Sequence, residues 1–174
     1  MTIPTLQTAR LMLRAPKLAD FEHWAAFFAS DRSRHERGPL DRVDGYRAWA
    51  ADVALWTLRG YGAFGLDDRA TGAYLGEVGI YQPEGFPEPE LGWFVVPEAE
   101  GRGYAAEAAR AVIDWVRTSF GWPRLVSIID PANSRSIALA LRLGGVIDPA
   151  LPGVDPGDVV IRHDLRPHPP GGGA

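Results

Sequence analysis

The chain has 174 residues, 46% of them hydrophobic and 23% charged, which suits one soluble domain with a substantial core. A formal net charge of −4 argues against a general nucleic-acid binder, and no apolar run approaches the roughly 20 residues that span a bilayer. The lack of cysteine removes disulfides, thiolate zinc sites and any thiol nucleophile, and the N-terminus lacks the pattern of a secretory signal, so a cytoplasmic location is expected.

In chain order, "RLMLRAP" (10–16) reads as a first strand halted by Pro16. "LADFEHWAAFFAS" (18–30) places Leu18, Phe21, Trp24 or Ala25, and Phe28 on one helical face, with Asp20 near its start. The polar loop "DRSRHERGPLD" (31–41) separates it from a second amphipathic helix over 44–60, carried by Tyr46, Trp49, Val53 and Trp56 and stopped by Gly60. Strands over 61–66 and 73–81 form an antiparallel hairpin, and the proline-rich loop 82–90 leads to a third strand over 91–96. A glycine turn then opens a helix of about eighteen residues, which closes near "SFGWP". "RLVSIID" (124–130) is apolar enough to be a strand buried on both faces. "NSRSIALALRLGG" (133–145) is a short helix ended by two glycines, and "DVVIRHDL" (158–165) is a last strand. Hairpins followed by crossovers predict a single α/β domain over 1–166, with a mixed, mostly antiparallel sheet of six to seven strands and about four helices. Residues 167–174, proline- and glycine-rich, are expected to form a disordered tail.

The stretch "PEAEGRGYAAEAARA" (97–111) carries the chemistry. A strand that ends in a glycine turn and opens a helix presents free N–H groups and a partial positive charge, which suits an anion. An NTPase phosphate loop would need a lysine followed by a hydroxyl residue, which is absent here. A dinucleotide fingerprint would need a third glycine where Ala106 stands, and it would belong to a first βαβ unit. A remaining anion candidate is the diphosphate of coenzyme A.

At this point the sequence resembles the GNAT superfamily of N-acetyltransferases, whose diphosphate motif is Gln/Arg-x-x-Gly-x-Gly/Ala. Gly103 and Ala105 match its final anchors, and Glu100 occupies the Gln/Arg position. "TARLMLRAP" with the helix after it, and the Asn-x-x-Ser helix of Asn133, Ser136 and Arg142, resemble the branch that acetylates ribosomal-protein N-termini (RimJ/RimL-like). Gly145 departs from that branch, which usually has an aromatic there.

The resemblance implies that the strand carrying Phe94, Val95 and Val96 diverges from the next one and pairs with the pantetheine arm. It implies that Gly101, Arg102, Gly103, Tyr104 and Ala105 surround the diphosphate, with Asn133 and Arg142 as further cofactor contacts. Ser136 would protonate the leaving thiolate, or would only decorate the start of its helix. Asn133 would cap that helix, bond to the cofactor, or both. Tyr104 would contact the cofactor or the core. Glu77 and Glu90, carboxylates inside strands, are candidate bases, with Glu77 ranked ahead. Near a diphosphate, Glu100 would need Arg102 to offset its charge.

Acetyl-CoA is therefore the expected cosubstrate. The acceptor is an amine, on a small molecule or a protein N-terminus, with direct transfer in a ternary complex. The acidic loop 82–90 would attract a cationic amine. No metal is expected, since the four histidines lack ligand spacing. A monomer or homodimer is expected, with no nucleic acid or membrane as partner. A non-catalytic acyl-CoA sensor and a CoA-independent partner-binding domain are the alternatives, the six tryptophans giving the latter some support.

Overall fold

The structure, a computed structural model, describes residues 2–166. The expected tail over 167–174 lies outside the described residues. In chain order the elements are β1 (Leu6–Gln7), β2 (Leu11–Arg14), α1 (Asp20–Phe28), α2 (Arg42–Arg59), β3 (Ala63–Asp68), β4 (Tyr74–Tyr81), β5 (Glu90–Val95), α3 (Tyr104–Ser119), β6 (Arg124–Ile129), α4 (Ser134–Arg142), β7 (Val146–Ile147) and β8 (Val159–Asp164). The strands form one sheet in the order β1-β2-β3-β4-β5-β6-β8-β7. Every neighbouring pair is antiparallel except β5 and β6, which the α3 crossover makes parallel. The mixed, mostly antiparallel α/β sheet is as expected, with eight strands instead of six or seven. The additional ones, β1 and β7, are two residues each.

One face of the sheet is covered by α3, whose Ala108, Val112 and Val116 pack on Leu13, Leu66, Val78, Ile80 and Leu91. The other face receives Phe21, Trp24 and Phe28 of α1 and Trp49 of α2, gathered over Phe94. Asp41 caps α2 by accepting from the Val43 and Asp44 N–H groups at 2.8 and 2.9 Å, so the helix begins two residues before the expected 44. Two residues assigned to helical core faces lie outside them. Leu18 is 70% exposed because α1 starts only at Asp20, and Tyr46 is 47% exposed. The inner stripe of α2 is instead Gly45, Trp49, Asp52 and Trp56. Asp20 does not cap its own helix; its carboxylate holds the buried Arg14 guanidinium at 2.5 and 2.8 Å and pins α1 to the end of β2.

The feature that matters for function is the junction of β5 with β6. Six residues of β5 pair with β4, from Tyr81 opposite Glu90 to Gly76 opposite Val95. With β6 the same strand pairs at one position only, Glu90 opposite Val126. Beyond that rung the two strands diverge. Six residues of β6 are meanwhile paired with β8 on its far side. A cleft thus opens in the middle of the sheet, bounded by β5 on one wall and β6 on the other.

Candidate active site

The glycine turn sits at the wide end of this cleft. Gly101 and Gly103 both take left-handed conformations, with φ of +70° and +77°, which a Cβ would strain. Gly103 is the residue before α3, and its carbonyl accepts the first helical bond, from the Glu107 N–H at 3.1 Å. Among the described residues the N–H groups from Arg102 to Ala106 meet no acceptor, so the turn presents donors and the positive end of a 16-residue helix. The turn is held from behind. The Glu107 carboxylate accepts from the Thr8 hydroxyl at 2.5 Å, the Arg10 N–H at 2.9 Å and Arg10 Nε at 2.7 Å. Arg10 in turn donates to the Arg102 carbonyl at 2.9 Å. Tyr104 is buried, with the guanidinium carbons of Arg10 and Arg102 at 4.4 and 4.9 Å from its ring centre.

That placement corrects one expectation. Arg102 does not offset Glu100; it lies over Tyr104. Glu100 is instead gripped by Arg32 from the loop after α1 and by Arg135 of α4, the latter at 2.9 Å. The acidic side chain is neutralised by two arginines, which stay beside the donor-rich turn.

Along the β5 wall, strand alternation decides which backbone groups are available. The Val96 N–H donates to the Leu75 carbonyl at 3.0 Å, so Phe94 and Val96 turn their polar groups to β4. Of the three residues expected to line the cleft, only Val95 turns its N–H and carbonyl toward it, and the other residue doing so is Trp93. The Phe94 side chain belongs to the α1 core, stacked on Phe27 at 4.9 Å. A run of peptide groups that meets no neighbouring strand, with only a 3.5 Å contact from Arg32 to the Val95 carbonyl, ends at a donor-rich turn and fits an extended amide-bearing arm with an anionic end.

At the narrow end of the cleft lies a cavity of about 30 Å³, lined in part by Glu36, Glu90, Trp93, Ser127 and Ser136. Ser136 reaches it from the first turn of α4. Asn133 caps this helix, its side-chain oxygen accepting from the Ser136 N–H at 3.2 Å, while no described residue bonds the Ser136 hydroxyl. Arg142, six residues on, is exposed in the last turn, about 9 Å further along the axis and away from the cavity.

The two candidate carboxylates separate. Glu90 lines the cavity, and its Oε1 accepts from the Ile128 N–H at 3.1 Å. Burial pushes its carboxyl up to about 8 against the pull of that N–H. Glu77 is 2% exposed beneath α2, where it accepts from the Tyr81 hydroxyl at 2.7 Å and does not line the cavity. Burial raises it too to about 8, aided by Asp52 and Asp20. Of the two, Glu90 is the one that lines the cavity.

Sequence reasoning missed Glu36, which stands at the cavity mouth. Crowding by the surrounding protein lifts its carboxyl to about 7 against the pull of Arg37 and His35, although the residue is exposed at the cavity mouth. It comes from the polar loop 31–41, which the family resemblance places beside the acceptor cleft although its mixed charges alone suit a solvated loop. That loop lies across the cleft: Arg32 reaches Glu100, His35 reaches Asp130 at the end of β6 at 2.7 Å, and Arg37 reaches the buried Asp52 at 2.5 Å. Its signal was the density of alternating charge. In the loop 82–90, the Glu88 carboxylate is bound through both oxygens by Arg124 at 2.6 and 2.7 Å, and of that loop's carboxylates only Glu90 lines the cavity, with Glu36 opposite.

Residues 10–146 match the family model described as an acetyltransferase (GNAT) domain. The crystal structure of an acetyltransferase from Agrobacterium tumefaciens superposes with a TM-score of 0.89 at 44% identity, covering 94% of this chain and 95% of that one. A ribosomal-protein-serine acetyltransferase from Vibrio cholerae, at 23% identity, shares the fold with a TM-score of 0.71, over 96% of this chain and 100% of its own. Bacillus subtilis YkkB is 34% identical over 94 residues, which are 53% of this chain and half of that protein's length. Among the described residues no helix is long and apolar enough to cross a membrane, and no cluster of three metal-ligating side chains occurs. With its split sheet, its glycine turn and a matching domain model over most of its length, the chain belongs to the GNAT acetyltransferase family and is an acetyl-CoA-dependent acyltransferase.

Proposed function

We propose that the protein moves an acetyl group directly from acetyl-CoA to a primary amine held in the same complex. The observation that carries this reading is the cleft itself. It has peptide groups of Trp93 and Val95 that meet no neighbouring strand on one wall, the Val95 carbonyl touched only by Arg32 at 3.5 Å, with free N–H groups at one end and raised carboxyls at the other. In this reading the turn from Gly101 to Ala105 binds the diphosphate, with Arg32 and Arg135 alongside. The Val95 and Trp93 backbone groups pair with the pantetheine amides, and an N–H of this wall faces the thioester oxygen, where it stabilises the negative charge that develops there. Acetyl-CoA supplies the activated acyl group.

The chain's own residues move the protons. A cationic amine enters beside Glu36 and gives up its proton to Glu90, directly or through water. A carboxyl raised to about 8 is matched to that task near neutral pH. An α-amine, with an unperturbed value near 8, needs less help than a lysine amine. The Ser136 hydroxyl, free of other partners, delivers a proton to the departing thiolate. The lack of cysteine is consistent with direct transfer.

Calorimetric titration with acetyl-CoA, against adenosine diphosphate as control, tests the cofactor. Micromolar binding clearly tighter than the control is expected, and equal binding would remove the pantetheine from the proposal. Thiol release with a panel of small amines and N-terminal peptides then identifies the acceptor class.

A further inference from the structure

Two strands that begin a parallel ladder continue it unless something stops them. At the single rung between β5 and β6 the Val126 N–H donates to the Pro89 carbonyl at 3.2 Å. The next rung would join the Ile128 N–H to the Leu91 carbonyl. Neither group makes that bond. The Ile128 N–H donates to Glu90 Oε1 at 3.1 Å, and the Leu91 carbonyl accepts from the Ser127 hydroxyl at 2.7 Å. Each side chain supplies the partner that the opposite backbone would have been.

The arrangement is held in place from behind. Ser127 is 1% exposed, and His163 of β8 places its Nε2 3.1 Å from the serine oxygen. Because the hydroxyl hydrogen goes to Leu91, the imidazole must donate, which puts the ring hydrogen on Nε2. Burial pushes the ring down to about 4 and so keeps it neutral, and its buried Nδ1 has no protein partner. An N–H that cannot turn elsewhere fixes the direction in which Ser127 points.

We propose that Glu90 and Ser127, backed by His163, are positioning residues that end the β5–β6 ladder and keep open the cleft in which the acyl donor lies. The role in cofactor binding rests on the acetyl-CoA reading above; the ladder-ending role does not. Satisfying Ile128 and Leu91 with side chains removes any tendency of the strands to close over Trp93 and Val95. Glu90 keeps its second oxygen for proton transfer.

The direct test is nuclear magnetic resonance of the full-length protein labelled with 13C and 15N. Hydrogen-bond coupling from the Ile128 amide to the Glu90 side-chain carboxyl is expected in the wild type, and coupling to the Leu91 carbonyl would overturn the proposal. In Glu90→Ala/Ser127→Ala the two freed backbone groups have only each other, so the Ile128–Leu91 coupling should appear and acetyl-CoA affinity should fall at least tenfold. A folded double variant with no such coupling, or with unchanged affinity, overturns it. Should this variant not fold, the wild-type coupling decides. Glu90→Gln keeps an oxygen for Ile128 and should bind acetyl-CoA at least fivefold more tightly than Glu90→Ala, while its turnover drops with the lost base. If wild-type protein binds no acetyl-CoA, the functional reading fails and the couplings alone judge the ladder.

Discussion

Ser136 and Glu90 line the same small cavity, one from α4 and the other from β5, so a proton donor and a proton acceptor share one confined space. Ser136→Ala should lower kcat by roughly 10²–10⁴, the usual range for a lost acid or base, while leaving acetyl-CoA affinity within about twofold. Thiol release and calorimetry on the same preparation check this, and a normal turnover would remove the serine from proton transfer. The Asn133–Ser136 spacing was legible because a cap and the N–H it accepts from are local. Glu100 was not, since the arginines that neutralise it come from positions 32 and 135. Gly145, where an aromatic was expected, has a packing reason. A Cβ there would lie 2.5 Å from Ile161, 2.9 Å from the Ala140 carbonyl and 2.9 Å from His163. The backbone is pressed so closely on β8 that only glycine fits.

Among the elements, α3 and its turn were the most readable, because paired glycines and an alanine-rich amphipathic run signal conformation and packing locally. Gly103→Val tests that element. A β-branched residue at φ +77° should cost on the order of 1–3 kcal/mol of stability and lower the melting temperature. It should also weaken acetyl-CoA binding at least tenfold by crowding the donors of the turn. Full binding by a strained but folded variant would move the diphosphate elsewhere. The strands β1 and β7 were invisible because two residues cannot display an alternation. The partners of the loop 31–41 were hidden for a different reason. Its charges resemble those of any solvated loop, and only the folded chain shows Arg32, His35 and Arg37 each reaching a different element.

For the whole molecule, the buried carboxyls set a pH dependence of stability. Glu77 holds its proton to about 8 when folded, against an ordinary value of 4.5, and Glu90 does the same. Between those values the folded state binds more protons, so their contribution is complete below about 4.5 and is lost as pH rises through about 8. His163 acts in the opposite sense between about 4 and 6.5, where the unfolded chain binds the additional proton. Above 6.5 only the carboxyls remain of these groups. The melting temperature is expected to fall from pH 6.5 to 8.5 at constant ionic strength. Glu77→Gln, still able to accept from Tyr81, should flatten part of that fall and melt higher than wild type at pH 8.5. A fall as steep as that of the wild type would assign the titration to other groups. The mixed, mostly antiparallel sheet was foreseeable from hairpins followed by crossovers. The single rung was not, since ladder termination depends on Glu90 meeting Ile128 and Ser127 meeting Leu91 across the fold.

That lone rung also has a mechanical meaning. Residues 6–95 and residues 124–164 form two stiff plates, each well laced internally, joined along a seam with almost no backbone stitching. What spans the seam is the α3 crossover, the side-chain bonds of Glu90 to Ile128 and Ser127 to Leu91, and charged clasps: Arg124 on Glu88, His35 on Asp130, and Arg32 with Arg135 on Glu100. A guest that inserts peptide-like bonds into such a seam acts as a strut between the plates. Its arrival would stiffen the joint, and its departure would return a hinge to the centre of the molecule.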